Sequence, residues 1–137
     1  MDVRGPAAAT AAAGRVAAAK RLLLATDCLV DARLRHGEEV VRRYELCVAL
    51  RPDWARAYLS CARYFDLLVA SRPGDQAASD AVRHDYVRHA MRWYARGLEQ
   101  SAKHARTALP RLVTLWFAYA DLHTAAPAKP ARAAAKP

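Results

Sequence analysis

The stretch His84–Asp121, HDYVRHAMRWYARGLEQSAKHARTALPRLVTLWFAYAD, decides how this chain is expected to fold. It reads as two helices with a short seam between them. The first places Val82, Tyr86, Ala90, Trp93 and Gly97 at helical spacing, flanked by Val87, Tyr94 and Leu98. The second should start near Thr107, because Pro110 is tolerated in a first turn, where its missing N–H has no helical partner to lose. It then runs almost wholly apolar through Leu112, Val113, Leu115, Trp116, Phe117 and Tyr119. A helix apolar on nearly every side needs cover on nearly every side. The expectation is a helix sandwiched at the centre of a stack, with Trp116 filling a groove between its neighbours.

Working outward, three more helices are expected upstream. Val16, Leu22, Leu23, Cys28, Leu29 and Ala32 suggest a helix over 14–36, stopped by Gly37. Glu38 and Glu39 suit the positive N-terminal end of the next, which carries Val40, Val41, Tyr44, Cys47 and Val48 and ends at Arg51-Pro52. Asp53 is placed to cap a third helix with the stripe Trp54, Tyr58, Cys61, Phe65 and Leu68/Val69, in steps of four and three. Ser71–Asp75 reads as a turn, and Ser79 or Asp80 as the cap of the helix that enters the opening stretch. The fold class is all-α, with five helices in antiparallel pairs. Residues 1–13 are alanine-rich and interrupted by Gly5-Pro6, and 124–137 is a basic Ala/Pro tail without apolar periodicity; both are expected to be disordered. That leaves 14–123 as the helical-repeat segment.

An internal echo supports a repeat. Val40, Tyr44, Cys47 and Pro52 fall at the offsets of Ala, Phe, Ala and Pro in the second helix of a tetratricopeptide repeat, and Ala90, Tyr94 and Gly97 repeat the first three offsets fifty residues later. A small residue lets a neighbouring helix approach, and the aromatic fills the groove beside it. The period is longer than the ideal tetratricopeptide length, so the repeat is irregular.

The same segments carry a family resemblance. Ala108-Leu109-Pro110-Arg111-Leu112-Val113-Thr114-Leu115-Trp116 resembles the MPRLLTLWLD-type signature of the FAT domain in the phosphatidylinositol 3-kinase-related protein kinases, and looks most like the ATR branch. Arg96-x-Leu98 precedes it at matching spacing. Pro52-Asp53-Trp54, Tyr58-Leu59 and Ala62-Arg63-Tyr64-Phe65-Asp66 are similar to that branch's P-E-W…Y-L-A-K-Y-Y-D stretch. The resemblance spans residues 38–121; Gln100-Ser101 stands where the family has Tyr-Gly, and the pattern ends after Asp121. It implies tetratricopeptide-like antiparallel helix pairs stacked in a curved solenoid, with Leu109, Pro110, Arg111, Leu112, Leu115 and Trp116 as signature core. It also implies a nuclear serine/threonine kinase of DNA-damage checkpoint signalling as parent, whose solenoid clamps the kinase domain and takes part in dimer formation. A target-of-rapamycin-type parent has a similar leucine-threonine-leucine-tryptophan segment; Tyr64-Phe65-Asp66 favours the ATR branch.

Several chemistries lack their residues. The five glycines are scattered and form neither GxGxxG nor GxxxxGK[ST], and no His-Arg-Asp or Asp-Phe-Gly segment is present, so no catalytic residue and no cofactor-binding site is expected in this chain. Cys28, Cys47 and Cys61 include no CxxC and no neighbouring histidine at zinc spacing; they read as buried free thiols in a reducing compartment. His84-Asp85 with His89 could begin a metal site, but His36, His104 and His123 supply no further ligands in context, so no metal is expected. Trp54, Trp93 and Trp116 sit on apolar stripes and read as core rather than as a platform for bases. No apolar run, Leu22–Ala25 included, is long enough for a bilayer, and the N-terminal alanines, broken by Thr10, Gly14 and Arg15, make no signal-peptide core.

The net charge of +9 is spread along the chain. Four bases against Asp2 lie in residues 1–21, and three more in the tail from Lys129. Such diffuse charge attracts polyanions weakly and points to no nucleic-acid site. Arg88, Arg92 and Arg96 are different: at i, i+4 and i+8 they form one ridge, set largely away from Trp93, that could dock an acidic helix. Two readings of function stand. One is a non-catalytic scaffold fragment of an ATR-like kinase, with the parent's kinase domain, a dimer mate or an adaptor subunit as partners. The other is a free-standing tetratricopeptide-like adaptor that binds peptides in its concave groove.

Overall fold

A computed structural model describes the backbone of residues 5–34, 37–71 and 79–135, and the side chains of 7–34, 37–71 and 81–120. Five α-helices follow one another: α1 (Gly5–Ala32), α2 (Glu38–Leu50), α3 (Ala55–Ala70), α4 (Ser79–Gln100) and α5 (Ala105–Ala135), with a 3-10 turn (Ala102–His104) before the last. Among the described residues there is no strand. The Ser101 hydroxyl caps the seam between α4 and α5 by accepting the Lys103 N–H at 3.2 Å.

Side-chain pairings give the directions. Between α1 and α2, Ala19 meets Cys47 and Asp27 meets Tyr44, so one index rises as the other falls. Between α3 and α4, Tyr58 meets Trp93 and Phe65 meets Tyr86. Between α4 and α5, His84 lies against Tyr119, and Met91 and Ala95 flank a groove with Leu112 and Trp116. Each successive pair is antiparallel. Across the pairs, Asp27 meets Ser60 and Asp31 meets Arg63, so α1 and α3 run parallel. Antiparallel pairs laid side by side in this order make a helical-repeat fragment.

The sandwiched helix is α3, not α5. Tyr58, Cys61, Ala62, Tyr64, Phe65, Leu68 and Val69 are buried, which takes in nearly the whole circumference of α3. Among the described side chains of α5 only Ala108 and Leu115 are buried. Leu109, Val113, Trp116 and Phe117 are exposed, Trp116 by 58% and Phe117 by 59%, which overturns the central placing of this helix. The apolar pattern wraps α5, yet among the described residues it lies at the edge of the stack and packs mainly on α4, so these four apolar side chains have little cover there. Of the signature core, Leu115 is buried and Leu112 half-buried, while Leu109, Pro110, Arg111 and Trp116 are on the surface.

Other expectations shift at the ends. The α1 backbone is helical from Gly5, taking in most of the alanine-rich residues read as disordered, as alanine's high helix propensity allows. The α5 backbone is likewise helical to Ala135, through the segment read as a disordered tail. Asp53 does not cap α3; Trp54 holds that position, with no side-chain cap bond, and the Tyr58 hydroxyl instead fastens the preceding turn by donating to Pro52 O at 2.7 Å. The expected turn at 72–75 and the caps at Ser79 or Asp80 lie outside the described residues and side chains. Cys47 and Cys61 are buried, but Cys28 is exposed.

Gly97 has the role expected of a small residue at a crossing. A Cβ there would lie 2.8 Å from Leu59 Cδ2 and 3.2 Å from Tyr58 Cβ. Leu59 could swing aside, whereas the Tyr58 stem is fixed by its buried ring. Alanine's better helix propensity offsets part of the clash, so Gly97→Ala should cost about 1 kcal/mol net. A urea midpoint at or above that of the parent would show that α3 and α4 do not approach closely there.

Candidate functional site

Among the described residues the buried charged group is Asp66, which sits among Tyr64, Phe65, Leu67 and Leu68 on α3. Its side chain is only 12% exposed. Arg111 of α5 donates to it twice, through Nε at 2.7 Å to Oδ2 and through Nη2 to Oδ1. The Tyr94 hydroxyl of α4 donates to Oδ2 at 3.1 Å. One carboxylate therefore joins three helices, and the planar fork of arginine is the group that can bind it bidentately. Burial, and secondarily the Asp66 carboxylate, push the Tyr94 hydroxyl up to about 12. The folded state thus keeps a proton that the unfolded chain releases near pH 10. This contribution is intact below about pH 10 and is lost as pH climbs toward 12. Tyr94→Phe should flatten the fall of stability over that interval, and an unchanged slope in denaturation midpoints would contradict it.

A second cluster ties α1 to the rest. Asp27 accepts from the Tyr44 hydroxyl at 2.7 Å and the Ser60 hydroxyl at 3.2 Å, and Asp31 pairs with Arg63 at 2.7 Å. The Tyr64 hydroxyl accepts the Gly37 N–H at 3.0 Å, holding the α1–α2 link against α3. Burial and the Asp27 carboxylate raise the Tyr44 hydroxyl far above its ordinary range, so it stays a donor.

The residues considered for catalysis do not converge. His84 lies against Tyr119 at 4.5 Å, Asp85 pairs with Arg88 at 3.5 Å, and His89 stacks on Phe65 at 5.0 Å. Among the described residues no three of His, Cys, Asp and Glu come together as metal ligands. Burial pushes the Cys47 thiol up to about 11 and Cys61 well above its ordinary value, the reverse of what a nucleophilic thiolate needs. Trp93 is buried in the core and Trp54 half-buried, whereas Trp116 stands in the open.

The arginine ridge is present, with its members differently engaged. Arg88 is held by Asp85; Arg96 lies over Trp93 at 4.5 Å and Tyr58 at 5.1 Å, not away from Trp93 as expected, because residues at i and i+3 share a helix face. Arg92 has no ion-pair partner among the described residues. It borders a groove of about 440 Å³ between α4 and α5, lined otherwise by Met91, Ala95, Leu112, Val113 and Trp116. Composition alone did not show the Asp66 joint, although a signal existed: an acid inside an apolar helical stripe must find a donor. Its two halves, Asp66 and Arg111, lie in the two segments that carry the family resemblance, 45 residues apart.

These observations define a helical-repeat fragment with structural ion pairs and no assembled catalytic constellation among the described residues. The sequence is similar to serine/threonine-protein kinases named ATR. It is 28% identical over 124 residues to that of Arabidopsis thaliana, covering 77% of this chain and 5% of the kinase. It is 26% identical over 126 residues to those of Oryza sativa subsp. indica and subsp. japonica, covering 76% of this chain and 5% of each kinase. The chain thus spans about a twentieth of the length of these curated relatives. No family model matches it, and no solved structure matches it. Among the described residues no helix is long and apolar enough to cross a membrane.

Proposed function

We propose that this chain is a non-catalytic scaffold segment of an ATR-like serine/threonine kinase, a piece of its FAT solenoid that supports the kinase domain and offers protein-docking surfaces in nuclear DNA-damage checkpoint signalling. The observation that carries this reading is the Asp66–Arg111 joint. It ties the two segments that resemble the FAT domain together across α3 and α5, which supports their acting as one packed stack. The similarity to ATR kinases over most of the chain supports it further, as does the small share of those kinases that is matched.

Sequencing the full transcript tests it. The expected result is one reading frame that continues into a serine/threonine-kinase catalytic domain downstream of these helices. A transcript that yields a complete protein without such a domain would favour the free-standing peptide-binding adaptor. The purified chain itself should show no rise in melting temperature with millimolar Mg·ATP and no phosphorylation of serine or threonine substrates. A nucleotide-dependent rise would contradict the non-catalytic role.

A further inference from the structure

We propose that the α1–α2 pair rocks as one body on α3, and that the groove between α2 and α4 closes in a second position where Glu38 and Glu45 meet Arg92 and Arg96. The hinge lies between the second and third of five helices. It depends neither on what covers α5 nor on the scaffold reading, so the transcript does not bear on it.

Packing is uneven along the stack. α3 lies closely on α4, from Tyr58 at Trp93 to Phe65 at Tyr86, but only lightly on α1 and α2, and α2 barely reaches α4. Contact between the α1–α2 pair and α3 is centred on Tyr44 and Tyr64, 6.1 Å apart, with Cys47 and Cys61 buried in the same core. The link 51–54 fastens one end of α2: Arg51 lies over Trp54 at 4.8 Å, and the Tyr58 hydroxyl holds Pro52. Two grooves flank this narrow contact, one of about 550 Å³ between α2 and α4 and one of about 520 Å³ among α1, α3 and α5. Rotation about a contact that is open on both sides uncovers little apolar surface, which is the condition for a hinge between packed helices.

The two sides of the hinge differ in their polar contacts. On the α1 side they are made: Asp31 pairs with Arg63 at 2.7 Å, and Asp27 accepts from Ser60 at 3.2 Å. On the α2 side the charges are in place but unpaired across the groove. Glu38 is held at 3.5 Å by Arg42 of its own helix, and among the described residues neither Glu45 nor Arg92 has an ion-pair partner. After burial, Glu45 raises the Cys61 thiol and Arg96 lowers it, so these opposite charges both lie near one buried sulfur beneath the groove. Moving α2 toward α4 brings the acidic wall onto the basic one and draws α1 away from α3. One set of ion pairs is thereby exchanged for another. Exposed pairs contribute little singly, so both positions are populated and a small change shifts the balance.

The test uses the whole 137-residue chain with spin labels at Glu39→Cys on α2 and Arg88→Cys on α4, both exposed and away from the link 51–54. Cys28→Ser removes the exposed thiol, while Cys47 and Cys61, buried and with raised thiol pKa values, take up no label. Double electron–electron resonance should show two label distances. Asp31→Asn releases the α1 side and should raise the ratio of short to long distances about threefold, the effect of one exposed ion pair. Glu45→Gln should lower that ratio by about as much, and so should Arg92→Gln. All three positions are exposed, so the variants should keep the circular dichroism of the labelled chain. A single distance that none of the three variants moves would overturn the proposal. So would a short distance that persists unchanged in Glu45→Gln, since the groove would then close without its charges.

Discussion

Tyr64→Ala is expected to remove most of the stability of the fold. Tyr64 is fully buried on α3, with Tyr44 at 6.1 Å on one side and Phe65 at 5.2 Å edge-on. Truncating a buried aromatic usually costs about 3–5 kcal/mol, as lost transfer free energy plus the cavity left behind. The variant also loses the hydroxyl that accepts the Gly37 N–H. That N–H is partly accessible to water, so its loss adds little to the total. A domain of this size has about 5–15 kcal/mol in all, and a stack with an open edge belongs near the lower end. Tyr64→Phe keeps the ring and drops only the hydrogen bond, so it should lose about 1 kcal/mol. Circular dichroism at rising urea separates the two. A Tyr64→Ala midpoint equal to that of Tyr64→Phe would show that the ring is not part of the core.

The second largest effect is expected of Arg111→Ala. It leaves the Asp66 carboxylate, 9% exposed as a residue, with the Tyr94 hydroxyl as its one remaining partner in this cluster. Breaking a buried ion pair from one side costs about 3–5 kcal/mol, because the abandoned charge stays desolvated. Arg111 itself is 47% exposed, so water enters the gap and the cost falls to about 2–3 kcal/mol. The double variant Asp66→Asn/Arg111→Ala carries no orphaned charge. It should therefore be more stable than Arg111→Ala alone, a reversal that simple loss of two favourable contacts does not give. A double variant less stable than both single variants would contradict the account of Asp66 as a desolvated charge held by Arg111.

Much of the architecture was legible in the residue pattern. The steps of four and three from Tyr58 to Val69 mark α3 because every one of those side chains is packed, and Gly97 marks the α3–α4 crossing because a Cβ there would press on Leu59 and Tyr58. The placing of α5 was not legible. Periodicity records which side chains are apolar and not which neighbours exist to cover them, so a helix at the edge of a stack and one at its centre look alike in sequence. Trp116 and Phe117 are apolar in either case, and their exposure depends on which neighbouring helices reach them. Arg111 escaped notice for a related reason. A pair 45 residues apart is invisible to local spacing, and the signature segment named Arg111 without saying what it holds. The ridge of Arg88, Arg92 and Arg96 was legible as a row, and the i, i+3 contacts of Asp85 with Arg88 and of Trp93 with Arg96 were open to the same spacing argument; the contact of Arg96 with Tyr58 of α3 is tertiary and was not.

The claim that the fold is centred on α3, with the outer face of α5 left open, is tested most directly by urea titration of the parent, Tyr64→Ala and Trp116→Ala side by side. Trp116 is 58% exposed, so its removal should move the midpoint by no more than the change of about 0.5 kcal/mol usual for a surface site. Tyr64→Ala should lower the midpoint sharply or show no folded baseline at all. A Trp116→Ala midpoint lowered as far as that of Tyr64→Ala would contradict the account and place α5 at the centre of the fold.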